Sequence, residues 1–166
     1  MEELSVRSRI IKAMSALSDV EFLQILEGIH AADIAEVLET FESEERTLIF
    51  EKLSSEMAAD VLVELDQDER AELVAGYSSE EIAQELVGNM DSDDAADLLS
   101  ELSDDLTKEV LSQVEDVEQA KRIAQLLTHE EDTAGALMAT ELVKVSEDLT
   151  ALRCVVAMRN QAENID

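Results

Sequence analysis

The 166-residue chain contains no proline, and glycine appears only four times. Breaks between regular elements must therefore come from Ser, Asp and Thr caps rather than from the two residues that usually interrupt a helix. Aromatic residues make up 2% of the sequence and tryptophan is absent, while apolar residues of all kinds reach 46%. A core of that composition has to be built from Leu, Ile, Val, Ala and Met, which suits packed helices better than a β-sandwich. The lone cysteine, Cys154, excludes an internal disulfide. Flanked by Leu152, Val155 and Val156, it reads as a buried structural thiol in a reducing compartment. No apolar run approaches the roughly 18 residues of a membrane span, and the N-terminus lacks the hydrophobic block of a signal peptide. Any membrane role is expected to lie outside this segment, with no direct insertion by it.

Positive charge is equally scarce. Twelve Lys and Arg face 41 Asp and Glu, a formal charge of −29. That balance excludes nucleic acid as a partner, because binding phosphates needs a basic footprint, and an anionic membrane surface would repel the chain. A cation is the natural counter-partner; the plainer alternative is that acidity serves solubility or adaptation to salt.

What is present is a recurring cap followed by a short apolar helix, from the start to about residue 128. Ser18 with Glu21, Ser78 with Glu81, and Thr128 with Glu131 have capping-box spacing. Between such signals apolar residues recur at helical intervals. Ile34, Val37, Leu38 and Phe41 form one stripe, and Leu48, Ile49 and Leu53 the next. The same period continues through Met57–Leu65, Leu73–Tyr77, Ile82–Met90, Leu98–Leu102, Val110–Val114 and Ile123–Leu127. With two earlier segments, about ten short helices are expected, and the methionines fall mainly on their apolar faces. Ala31-Ala32-Asp33, Ala58-Ala59-Asp60 and Ala95-Ala96-Asp97 share one pattern, their aspartates 27 and 37 residues apart, and Ile82-Ala83-Gln84 is a degraded copy. Those intervals approximate multiples of a unit of 12 to 13 residues. A helix that short is not stable alone in water, so neighbours must stack into a continuous core. The expected fold is all-α, an α-solenoid or superhelix.

After residue 128 the pattern changes. His129 to Met138 reads as a connector, Glu141-Leu142-Val143-Lys144-Val145 alternates like a strand, and Ser146-Glu147-Asp148 can cap a helix carrying Leu149, Leu152, Val155 and Val156. A strand and one helix cannot close a core, so this tail is expected to begin a second α/β domain. The boundaries expected are 1–128 for the superhelix, 129–140 for the connector and 141–166 for the incomplete second domain.

The run from His30 through Leu38, the Ala-Ala-Asp repeats, the stretch Met90-Asp91-Ser92-Asp93-Asp94-Ala95-Ala96-Asp97-Leu98-Leu99 and the connector Glu130-Glu131-Asp132-Thr133-Ala134-Gly135-Ala136-Leu137-Met138 resemble the N-terminal cytoplasmic domain of MgtE-type magnesium channels. The tail from Glu141 resembles the first strand and helix of a CBS domain. The resemblance implies a homodimeric channel at the cytoplasmic face of the inner membrane. This segment would be its Mg²⁺ sensor, and its partners would be the CBS and transmembrane domains of the same protein. Mg²⁺ between the cytoplasmic modules would compact them and close the pore. Family members commonly carry prolines where this chain has Ala31, Ser55 and Ser92. Carried over by position, the implied Mg²⁺ ligands are Asp60, Asp93 and Asp97, with Asp94 alongside. Asp93 and Asp97 lie four apart and so share a helical face, where like charges oppose each other until a cation intervenes. Without metal, the same residues would be helix-capping or solvent-side carboxylates. An alternative is a soluble CBS-linked scaffold, with a superhelix like that of flagellar switch proteins and no channel. His30 and His129 have no second His or Cys at ligand spacing. No nucleophile–base arrangement or phosphate-cradling loop is present, and no catalysis is expected.

Overall fold

The computed structural model describes residues 5–14, 19–26, 28–129, 133–135, 138 and 145–162. Eleven α-helices and no strand occur among these residues. They are α1 (Val6–Met14), α2 (Asp19–Leu26), α3 (Ala31–Leu38), α4 (Ser43–Phe50), α5 (Ser55–Glu64), α6 (Gln67–Val74), α7 (Ser79–Glu81), α8 (Ser92–Ser100), α9 (Asp104–Gln113), α10 (Val117–Leu126) and α11 (Ala151–Ala162). Helix α7 runs on into a π turn (Ile82–Leu86) and a 3₁₀ turn (Val87–Asn89). The expected strand at 141–145, apart from Val145, and most of the connector lie outside the described residues, as do Ser18 and Glu131 of two expected capping boxes. The third box is observed. Ser78 Oγ accepts from the Glu81 amide at 3.3 Å, and Glu81 Oε2 accepts from the Ser78 amide at 2.8 Å.

Helix starts recur with great regularity. The N-cap residues of α3 to α7 are His30, Glu42, Ser54, Asp66 and Ser78, each 12 residues after the last and each with extended backbone angles. The next three are Asp91, Ser103 and Asp116, with one extra residue before Asp91 and one before Asp116. Two consecutive helices therefore make a 24-residue unit, and burial repeats with it. Ile34, Ala35 and Leu38 are buried in α3, and Ala58, Ala59 and Leu62 hold the same places in α5. In the second helix of each unit, Ile49 and Phe50 correspond to Leu73 and Val74.

The third unit carries one residue more, and the burial pattern locates it. Ile82 and Ala83 lie 24 residues after Ala58 and Ala59, but Leu86, Val87 and Met90 lie 25 after Val61, Leu62 and Leu65. The surplus thus falls at Gln84–Glu85, both exposed, inside the π turn. An uncompensated residue would rotate the rest of the helix by about 100° away from the core. A π turn takes it up as a single wide turn.

This register corrects the sequence reading in three places. The equivalent of Ala58-Ala59-Asp60 in the first unit is Ile34-Ala35-Glu36, because Ala31-Ala32-Asp33 forms the first turn of α3 and its Ala32 and Asp33 are exposed. Leu48 leaves its expected stripe and is exposed, its place taken by Phe50. Of the five described methionines, only Met90 is buried; Met57 packs against the core, and Met14, Met138 and Met158 are exposed. Stripes at helical spacing identify a face but not its edges, and edge residues were assigned inward.

Odd-numbered helices stack along the chain, α1 on α3, α3 on α5, α5 on the π turn, and α7 on α9, while α8 packs on α10. One continuous core results, from Ile10 and Phe22 at one end to Ile123 and Leu126 at the other. Helices α1 and α2 close the first end, with Arg9 Nε donating to the Ile25 carbonyl at 3.1 Å. Gly28, at φ +76°, reverses the chain between α2 and α3 in a conformation that side-chain-bearing residues rarely adopt. Cys154 on α11 is half-buried, and its thiol lies 3.8 Å from the Leu149 carbonyl oxygen.

Candidate functional site

The second helix of each of the first three units begins with the same acidic signature. The N-cap, second and third helical positions are Glu42, Glu44 and Glu45 in α4, then Asp66, Asp68 and Glu69 in α6, and Asp91, Asp93 and Asp94 in α8. Carboxylates favour a helix N-terminus because the amides there are unpaired and the dipole is positive. Only α8 uses three short aspartates. One carboxylate oxygen from each of Asp91, Asp93 and Asp94 lies within 4.8 Å of the others, the single such group of three or more possible ligands among the described residues. The N-cap residue Asp91 makes no side-chain cap hydrogen bond to the helix.

The fourth helical position separates α8 further from its counterparts. It is Arg46 in α4 and Arg70 in α6, but Ala95 in α8. Arg46 is 8% exposed and pairs with Glu72 at 3.2 Å, while Ser43 Oγ donates to the other Glu72 oxygen at 2.6 Å. Arg70 pairs with Glu101 at 3.0 Å, both side chains largely buried. These two arginines tie α4 to α6 and α6 to the end of α8. Sequence reading passed over both, although their 24-residue separation and shared Glu-Arg context were available signals. Near the first turn of α8 a cation comes from α10: Arg122, whose Nε donates to buried Ser92 Oγ at 3.2 Å and whose Nη2 lies 4.0 Å from Asp116.

Among the four residues carried over by position, the structure brings Asp93 and Asp94 together and adds Asp91, which was not among them. Asp97, a turn further on, is exposed and stands close enough to Asp94 to act on its charge. Asp60 is exposed on α5, a helix of the other layer, and joins no such cluster among the described residues. Half-buried Asp94 holds its proton above the usual carboxylate range. Loss of hydration is the main cause, followed by the negative charges of Asp93, Asp91 and Asp97, with Arg70 opposing them. A cluster of hard carboxylate oxygens, partly open to water, fits a cation such as Mg²⁺ that keeps several of its waters.

A concavity of about 600 Å³ lies beside Arg70, Asp97, Glu101, Lys108 and His129. A Cβ at Gly135 would lie 2.6 Å from His129 Nδ1, so a side chain there would require the imidazole to shift.

Fold and site together define an acidic helical solenoid that presents a clustered carboxylate triad at one helix start. The chain belongs to the MgtE intracellular N domain family, whose family model matches residues 29–132, more than half of its length. Two solved structures share its fold. The soluble part of a magnesium transporter is 24% identical with a TM-score of 0.78, the match covering 95% of this chain and 61% of that one. The cytosolic domain of the Mg²⁺ channel MgtE in complex with ATP is 25% identical with a TM-score of 0.80, covering 95% and 64%. The chain thus spans about three fifths of each of these structures. No curated protein matches it. No helix among the described residues is long and apolar enough to cross a membrane.

Proposed function

We propose that this chain is the Mg²⁺-sensing cytoplasmic part of a magnesium channel or transporter, acting on the membrane domain of the same polypeptide. The observation that carries the reading is the Asp91–Asp93–Asp94 triad, the single group of three or more possible ligands among the described residues, on a helix start whose fourth position is Ala95 rather than the arginine of α4 and α6. In this reading the three carboxylates hold a hydrated Mg²⁺, and Asp97 and Asp60 add negative potential or ligands where a neighbouring module closes on the superhelix. The ion supplies charge neutralisation. Without it the acidic faces repel and the modules separate; with it they approach, and the pore closes. CBS domains after residue 140 and a second copy of the chain are the partners this mechanism needs.

The magnitudes suit several weak sites acting together. A 1 mM affinity is about 4 kcal/mol, and an ion at 100 times its dissociation constant stabilises the binding state by only about 2.7 kcal/mol. Reversing a 1:99 equilibrium takes about 5.5 kcal/mol of differential binding. A chain of charge −29 supplies both the ligands and the repulsion.

Isothermal calorimetry with MgCl₂ on the wild-type chain and on Asp93→Asn/Asp94→Asn tests the site. Saturable binding that the double variant loses is the expected result. Equal heats from both proteins would remove the triad from the mechanism.

A further inference from the structure

Buried carbonyls at the end of a helix lose their usual amide partner; those of Leu38, Leu62 and Val87 each accept from the amide three residues on, of Phe41 (3.0 Å), Leu65 (3.3 Å) and Met90 (3.3 Å), and keep a second lone pair that needs a donor. The three two-helix units meet this need in two ways. In the first, Arg46 Nε donates to the Leu38 carbonyl and Arg46 Nη2 to the Phe41 carbonyl, both at 3.3 Å. In the second, Arg70 Nη1 donates to the Leu62 carbonyl at 3.4 Å. Each arginine lies in the helix directly after the one it caps, eight residues beyond the Leu carbonyl it reaches. In the third unit the positions equivalent to Leu38 and Phe41 are Val87 and Met90, and the arginine position is Ala95, fully buried. Their carbonyls are instead met by Gln119 Nε2 from α10, at 3.0 Å for Val87 and 2.9 Å for Met90.

We propose that Gln119 is a positioning residue that replaces the repeat's arginine. It caps the 3₁₀ turn Val87–Asn89 with a neutral amide, so that α8 carries three first-turn carboxylates and no guanidinium of its own. The proposal rests on reading that turn as the cation site. An arginine at the fourth position would stand four residues from Asp91, where opposite charges on one helix face interact, and would compete with a divalent ion for the triad. A glutamine makes the same two hydrogen bonds without the charge. Gln119 is 9% exposed, so its amide is committed to those carbonyls. Two nearby cations remain: Arg122, which also faces Asp116, and Arg70, which pairs with Glu101 and acts on Asp94 from α6.

Four proteins test this on the full chain: wild type, Gln119→Ala, Gln119→Ala/Ala95→Arg and Gln119→Arg. Thermal midpoints in EDTA read the capping. Gln119→Ala is expected to lose roughly 3–10 °C, and adding Ala95→Arg to regain at least half of that. MgCl₂ calorimetry reads the charge: the double variant and Gln119→Arg are expected to bind about tenfold more weakly than wild type. Gln119→Arg leaves α8 untouched and carries the charge test if arginine at 95 prevents folding. A Gln119→Ala midpoint equal to wild type would overturn the capping role. Unchanged Mg²⁺ affinity in folded arginine variants would overturn the charge role. Absence of millimolar binding by wild type would overturn the site reading itself, with the EDTA midpoints still deciding the capping role.

Discussion

Asp94 carries the clearest tension between folding and binding. Its carboxyl is pushed up chiefly by burial and then by Asp93, Asp91 and Asp97. The folded chain therefore binds this proton more tightly than the unfolded chain does, and stability falls as pH rises from the ordinary carboxylate value through the raised one. At neutral pH the ionised group is a net cost. Asp94→Asn is expected to raise the thermal midpoint in EDTA at pH 7, with the advantage vanishing in acid below the ordinary carboxylate value; an unchanged midpoint at pH 7 would contradict this. The Arg70–Glu101 pair is a second residue-scale commitment. Because both side chains are largely buried, Arg70→Met alone leaves a buried carboxylate and should cost about 3 kcal/mol or more. Arg70→Met/Glu101→Leu should cost much less, which denaturant titration of the two variants would show.

At the scale of helices, the repeat explains why capping matters so much here. Each helix of α3 to α10 has 8 to 10 residues, apart from α7 with its π and 3₁₀ extensions. Segments that short depend on their caps and neighbours rather than on propensity. The π turn offers the sharpest test at this scale. Removing Glu85 takes out the surplus residue and should leave a continuous α-helix, with far-UV circular dichroism intact and a midpoint near or above that of wild type. Removing Glu36 from α3, which has no surplus, rotates Val37 and Leu38 off the core and should unfold or severely destabilise the chain. Equal losses from the two deletions would sink the insertion account.

Over the whole molecule, charge and an uncovered helix dominate. Mutual repulsion of 41 acidic residues opposes compactness, so millimolar MgCl₂ should raise the thermal midpoint and shrink the radius of gyration in small-angle scattering. Helix α11 exposes Leu152 (77%), Val155 (45%), Val156 (51%) and Met158 (48%). An apolar face of that kind favours association, and sedimentation is expected to show concentration-dependent dimers; a monomer at all concentrations would contradict it.

The all-helical solenoid, its 12-to-13-residue unit and most of its core were legible without coordinates. Helical hydrophobic period and Ser or Asp caps are local properties, and local physics writes them into adjacent residues. The acidity that points to a cation was legible for the same reason, while Asp93 and Asp94 entered as candidates through the family resemblance. Three-dimensional packing alone decided the rest. It set the true repeat register, which pairs Ala59 with Ala35 rather than Ala32, because only burial shows which small residue faces a neighbour. It placed the surplus residue in the π turn, since a helical stripe looks continuous across one inserted position. It added Asp91 to Asp93 and Asp94, and gave Gln119 the task of an arginine that lies elsewhere in the repeat, because hydrogen bonds between residues about 30 apart leave no trace in local spacing.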